Sequence, residues 1–151
     1  MRVVIQRVKK AEVTIAEENY KDEIGEGLMV LAAFEDTDTA DDIEWTAKKI
    51  TAMRLFDDEN GVMNLSVKET GRNVMVVSQF TLFASTAKGN RPSYIKAAKP
   101  EISIPLYEQF LKVMEDKMER RIAHGHFGAD MQIALINDGP VTIVVDSKLK
   151  F

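Results

Sequence analysis

Gly27-Leu28-Met29-Val30-Leu31-Ala32-Ala33-Phe34 is apolar at both parities of a strand, the pattern of a central strand covered on both faces. Upstream, Val3 and Ile5 alternate with Val4, Gln6 and Val8, and Val13 with Ile15 resumes the period of two after a short break, so the chain opens in a strand. Glu17 to Glu23 is polar and turn-like. Downstream, Asp38 and Thr39 offer an N-cap to Ala40, Ile43, Ala47, Ile50 and Arg54, whose steps of three and four predict an amphipathic helix with acids in its first turn. Asp57-Asp58-Glu59-Asn60-Gly61 signals a turn between Leu55-Phe56 and a strand over 62–67. A second apolar run, 74–83, reads as another buried strand. Residues 84–100 carry Gly89, Pro92 and Pro100 among Lys88, Arg91, Lys96 and Lys99 and follow neither period, which predicts a basic loop. Leu106, Tyr107, Phe110, Leu111, Met114, Met118 and Ile122 trace one face of a long helix, with Pro105 in its first turn or before it. Met131, Ile133 and Leu135 then alternate with Gln132, Ala134 and Ile136, and a strand over 141–145 closes the chain. Strands outnumber helices without regular βαβ alternation. The class is therefore α+β, with a largely antiparallel or mixed sheet and two main helices.

The 151 residues suit one domain, 1–151, and at 45% hydrophobic the chain builds its core without a disulfide or metal staple. Zero cysteines remove disulfide frameworks, thiolate zinc sites and thiol nucleophiles together. With Lys and Arg totalling 20 against 24 acids, the net charge of −4 argues against gripping long nucleic-acid backbone by charge alone, while a local contact stays open. No segment approaches the ~20 apolar residues of a bilayer span and the N-terminus has no signal-peptide run, so no membrane partner and a cytoplasmic location are expected.

Most chemical motifs are missing. His124 and His126 are the only histidines, too few for a closed zinc site, and no metal is expected. Asp36, Asp38, Asp41 and Asp42 look calcium-like, but the glycine and glutamate positions of an EF-hand loop hold Asp41 and Ala47, which leaves a helix-capping turn. Phosphate-binding loops, dinucleotide fingerprints and serine elbows are absent. Two stretches remain. Ser78, Gln79 and Thr81 interrupt the apolar run 74–83; strand alternation puts Gln79 and Thr81 on one face and Ser78, Phe80 and Leu82 on the other. Either they satisfy loop backbone nearby or they approach a common site from a strand end or bulge. Asn137-Asp138-Gly139-Pro140-Val141-Thr142 reads by turn chemistry as a hairpin, and Gly before Pro permits backbone geometry that aims two successive carbonyls one way. Arg7 shares the parity of Val3 and Ile5, so either its guanidinium points inward and needs acceptors or it snorkels to the surface.

These stretches, with Lys88-Gly89-Asn90-Arg91-Pro92-Ser93 and Phe127-Gly128-Ala129-Asp130-Met131, closely resemble the D-aminoacyl-tRNA deacylases. The likeness runs from Arg2-Val3-Val4-Ile5-Gln6-Arg7-Val8 to Val141-Thr142, and its most specific elements are Ser78-Gln79-x-x-Leu82 and Asn137-x-Gly139-Pro140-x-Thr142. Phe83 stands where many relatives carry Tyr. The resemblance implies a barrel-like fold and a cytoplasmic homodimer without a cofactor that hydrolyses the ester joining a D-amino acid, or glycine, to the 3′-terminal adenosine of tRNA. It implies a cis Gly139-Pro140 peptide inserted into the partner's pocket and fastened by Arg7. It further implies a catalytic segment of Ser78, Gln79, Phe80 and Thr81, with backbone N–H groups around Phe80 and Thr81 as oxyanion donors, and Phe127 and Met131 packed against the terminal adenine. Thr81 is either the nucleophile or a bystander to water activated with the ribose 2′-OH. A non-catalytic module that binds tRNA ends is the competing reading.

Overall fold

In the computed structural model, which describes residues 1–151, the chain runs β1 (Arg2–Ile15), a 3-10 turn at Ala16–Glu18, β2 (Tyr20–Ile24), β3 (Gly27–Ala33), α1 (Ala40–Ala52), β4 (Arg54–Asp57), β5 (Met63–Ser66) and β6 (Asn73–Ser78). A second 3-10 turn at Phe80–Phe83 leads by a long loop to α2 (Pro100–Met118), β7 (Ala123–His124) and β8 (Gln132–Asp146). The main sheet is mixed: β1 is antiparallel to β2, β3 and β8, whereas β3, β6 and β7 are parallel. β4 and β5 form a separate hairpin around the predicted turn.

Both faces of β3 and β6 are buried, as the unbroken apolar runs require. Leu28, Val30, Val74 and Val76 pack against Ile43, Ala47 and Ile50 of α1 and Phe110 and Met114 of α2. On the opposite face Met29, Met75 and Val77 join Val8, Val13 and Ala123 in a smaller cluster where β2 approaches β7. There the Tyr20 hydroxyl donates to the His124 carbonyl at 2.9 Å and the His124 N–H donates to Asp22 at 3.1 Å. The sheet thus curls into a nearly closed barrel. Gly27 starts the parallel pairing because a Cβ there would lie 1.9 Å from the Asn73 carbonyl oxygen.

Five expectations are corrected. The break in β1 is a bulge inside one strand, and the Asn137–Thr142 segment is no hairpin: Gln6 faces Thr142 and Val8 faces Asn137, so Asp138–Val141 bulges from a continuous β8. The unbroken length of β1 supplies ladder partners on both sides of the excursion, which is why the turn residues are absorbed without reversing the chain. Pro105 sits in the second turn of α2, because Pro100 already occupies its first position. Its ring removes a bond to the Glu101 carbonyl, and both residues lie on the exposed face of the helix. α1 ends at Ala52, so Arg54 belongs to β4, and α2 ends at Met118, ahead of Ile122.

The acidic cluster caps and anchors. Asp38 is buried against the Met1 ammonium, which also donates to Ser147 Oγ at 2.7 Å. Asp42 closes a capping box by accepting the Thr39 N–H at 2.9 Å and also accepts from Lys148 at 2.7 Å. Burial opposes ionisation of Asp42, but Lys148, Ser147 and Thr39 outweigh it and hold its carboxyl far below the usual range. A carboxyl depressed in the folded state contributes stability that is complete above its unfolded value, about 3.9, and is lost as pH falls through its folded one. Asp42→Asn is therefore expected to cost about 1 kcal/mol at neutral pH and to flatten the acid limb below about pH 4. Urea titrations across that range check it; an acid limb unchanged in the variant contradicts the assignment.

Candidate active site

β6 stops at Ser78, where the Gln79 N–H donates to the Ala32 carbonyl at 2.7 Å and the chain leaves the sheet into the Phe80–Phe83 turn. The expected strand over 74–83 is thus cut short, and its alternation does not extend to Thr81. The polar residues that broke the apolar run are what end the strand. Within the turn, Leu82 N–H donates to the Gln79 carbonyl at 3.2 Å and Ala84 N–H to the Thr81 carbonyl at 3.0 Å. The N–H groups of Phe80 and Thr81, first in the turn, are left without a carbonyl partner there. Gln79 Nε2 donates to Thr81 Oγ1 at 2.5 Å. No histidine, lysine or carboxylate hydrogen-bonds that hydroxyl.

Facing this turn is the segment after β7. A pocket of about 320 Å3 lies between them, lined by Ser78, Gln79 and Phe80 on one side and Phe127, Asp130 and Met131 on the other. Five of the nine residues singled out in the sequence meet here; the Thr81 side chain does not line the pocket, and its hydroxyl is held by Gln79. Met131 is seated on Gly125, where a Cβ would come within 2.4 Å of its sulfur. The buried Tyr107 hydroxyl lies 2.9 Å from the Gly125 carbonyl and 3.2 Å from that of Val76, so it ties both walls to α2. Burial pushes its phenol far above the ordinary value and keeps it a donor. Sequence reading took Tyr107 for core and passed over Gly125. Only the α2 periodicity and the glycine ahead of His126 carried a trace of either.

Arg7, Gly139 and Pro140 lie elsewhere in the same chain. Arg7 is 13% exposed; its Nε donates to the Asp138 carbonyl at 3.1 Å and its guanidinium also donates to the Leu55 carbonyl at 2.7 Å. This bears out an inward guanidinium with acceptors. Gly139 has φ +77°, which a side chain rarely adopts, and a Cβ there would stand 3.0 Å from the same guanidinium. Gly139 and Pro140 are exposed and line no part of their own chain's pocket. The Gly139-Pro140 peptide is trans, since no peptide in the structure is cis, and this corrects the isomer that the resemblance implied. Trans is the lower form of an X-Pro bond by about 0.5–1 kcal/mol. His126 pairs with Glu18 and His124 Nδ1 meets the Gly125 carbonyl, so the histidines form no metal cluster with other ligating side chains.

The family model described as D-Tyr-tRNA(Tyr) deacylase matches residues 4–146. The chain belongs to that family. Among its deacylase relatives, D-aminoacyl-tRNA deacylase of Bacteroides fragilis (strain YCH46) is 59% identical over 150 residues, 99% of each chain, and that of Flavobacterium johnsoniae is 57% identical over 148 residues, 98% of each. A solved structure titled c-Myc DNA Unwinding Element Binding Protein superposes with a TM-score of 0.88 at 37% identity, covering 97% of this chain and 98% of that one. A probable eukaryotic D-amino acid tRNA deacylase shares the deacylase fold with a TM-score of 0.83 at 17% identity, covering 96% and 98%. As a member of the deacylase family, the chain is a hydrolase of ester bonds.

The predicted basic loop is held at its neck by reciprocal hydrogen bonds between Ser85 and Ser93 at 2.8 and 2.9 Å. Tyr94 meets the Phe80 ring edge to face at 5.2 Å, which joins the loop to the turn. Lys88, Arg91, Lys96 and Lys99 are all exposed and none is in a salt bridge. No helix in the structure is long and apolar enough to cross a membrane.

Proposed function

We propose that two copies of the chain make the working unit, with the Gly139-Pro140 turn of one copy entering the pocket of the other to screen the α-carbon of a D-aminoacyl-tRNA. The reaction, hydrolysis of D-aminoacyl-tRNA, comes with the family. The observation that carries the cross-subunit reading is the turn itself: it is exposed, lies outside its own pocket, and is nevertheless gripped by a nearly buried arginine. Ile136 and Val144, on either side of it, are 50% and 44% exposed on an edge strand, an arrangement that favours covering by a second copy.

Stereochemistry gives the filter its logic. With ester carbonyl, α-ammonium and ribose all held, enantiomers differ only in which remaining direction carries the side chain. Backbone filling one direction excludes every L residue and tolerates many D residues, while glycine has nothing to exclude and is cleaved. Carbonyls of Gly139 and Pro140 accept from the substrate ammonium. Water attacks the ester carbon, the Phe80 and Thr81 N–H groups stabilise the oxyanion, and the ribose 3′-oxygen leaves with a proton. Phe127 and Met131 pack against the terminal adenine, in the manner of RNA ends read by stacking. Lys88, Arg91, Lys96 and Lys99 meet acceptor-stem phosphates, so tRNA affinity should fall as salt rises; a flat response between low and moderate salt removes the loop from the reading.

Incubation with D-tyrosyl-tRNA and L-tyrosyl-tRNA tests the whole. The D ester should be hydrolysed and the L ester spared. Loss of both overturns the filter, and survival of both leaves a tRNA-end-binding module without catalysis.

A further inference from the structure

The Arg2 side chain touches three elements at once. Its Nε and Nη2 both lie 3.0 Å from Asp146 Oδ2 at the end of β8, and its Nη1 donates to the Leu82 carbonyl at 3.0 Å. The guanidinium also stands 4.9 Å from the centre of the Phe83 ring. Leu82 and Phe83 belong to the turn whose first two N–H groups face the substrate in the function proposed above. At the far end of such a turn the last carbonyls lack partners, and the Ser85 N–H that follows is taken by Ser93. Arg2 fills that vacancy with a charged donor. Asp146, 2% exposed, is itself locked: its other oxygen accepts the N–H groups of Lys148 and Leu149 at 2.9 and 3.1 Å.

We propose that Arg2 is a positioning residue for the hydrolysis, clamping the Phe80–Phe83 turn to the β1–β8 seam so that the Phe80 and Thr81 N–H groups stay aimed at the developing oxyanion. The inference rests on the assignment of those N–H groups and adds what holds them. Donors of this kind act by being fixed before charge develops, so loosening their support lowers the rate of the chemical step more than it weakens binding. The planar fork is needed because a single ammonium cannot reach Asp146 and the Leu82 carbonyl with comparable geometry.

The test is Arg2→Met, which keeps an apolar stem over Phe83, together with Arg2→Lys and, as a comparison in the same cleft, Lys148→Met. Single-turnover rates and KM for D-tyrosyl-tRNA are read at a temperature where each variant is folded, alongside hydrogen exchange of the Ala84 N–H that closes the turn onto Thr81. For Arg2→Met, kcat should fall roughly tenfold or more at nearly constant KM, with faster exchange at Ala84. Arg2→Lys should be intermediate and Lys148→Met should match the parent in kcat. If Arg2→Met does not fold, Arg2→Lys and the exchange at Ala84 carry the decision. An unchanged kcat, a change in KM alone, or slow exchange at Ala84 in the variants overturns the inference. Parent protein that leaves D-tyrosyl-tRNA intact overturns instead the function on which it rests.

Discussion

Thr81→Ala is expected to retain deacylation within about tenfold of the parent, whereas a substrate ending in 2′-deoxyadenosine is expected to be cleaved at least about 100-fold more slowly. The contrast follows from the surroundings of the hydroxyl. Gln79 Nε2 donates to Thr81 Oγ1, which occupies an acceptor lone pair, and no imidazole, amine or carboxylate is hydrogen-bonded to take its proton. A threonine without a base is a poor nucleophile. Removing the hydroxyl forfeits one hydrogen bond, about 0.5–1.5 kcal/mol, which converts to roughly a tenfold rate change. The ribose hydroxyl, by contrast, is adjacent to the reacting ester by covalent structure, and acid–base assistance of that kind is worth about 100-fold to 10,000-fold. Rates with ribo- and deoxy-terminated D-tyrosyl-tRNA, for parent and variant, decide it. Abolition of turnover by Thr81→Ala in a folded protein would make Thr81 the nucleophile.

Arg7→Met should lower kcat/KM by about 100-fold and narrow the ratio of D to L cleavage. The guanidinium is the donor to the Asp138 and Leu55 carbonyls and lies against Gly139, so its loss unfastens the bulge in β8 on one side and exposes two acceptors to poor partners. A displacement of about 1 Å at a positioning element is enough for an effect of this size. Gly139→Ala provides a second route to the same disturbance, because its Cβ presses on the guanidinium from the other side and its φ of +77° disfavours any side chain. Discrimination left intact in both variants, with full folding, would show that the turn does not act as the filter. The measurement is initial rates on both enantiomers, with urea melts to separate folding from chemistry.

Much of the fold was legible because it is written in period. The double-sided burial of β3 and β6 follows from runs with no polar parity, and α1 announces itself with Thr39 as an N-cap, acids in its first turn and apolar residues at steps of three and four. What was not legible depends on partners distant in sequence. Nothing local to Asn137–Thr142 says that β1 will ladder with residues on both sides of it and turn an apparent hairpin into a bulge. Ser78-Gln79 looked like strand interior until the sheet ended under it. The pocket shows the same division: Ser78, Gln79, Phe80, Phe127 and Met131 were found through motif, while Gly125 and Tyr107, which brace the pocket, have meaning only through Met131 and α2.

The separation of the β8 excursion from its own chain's pocket has a genetic consequence. If the proposed exchange between copies holds, damage to the recess and damage to the projecting loop should strike complementary halves of each cleft. In the two-copy unit proposed above, mixed particles assembled from one protein of each kind are expected to regain a single sound cleft out of two, although neither parent works by itself.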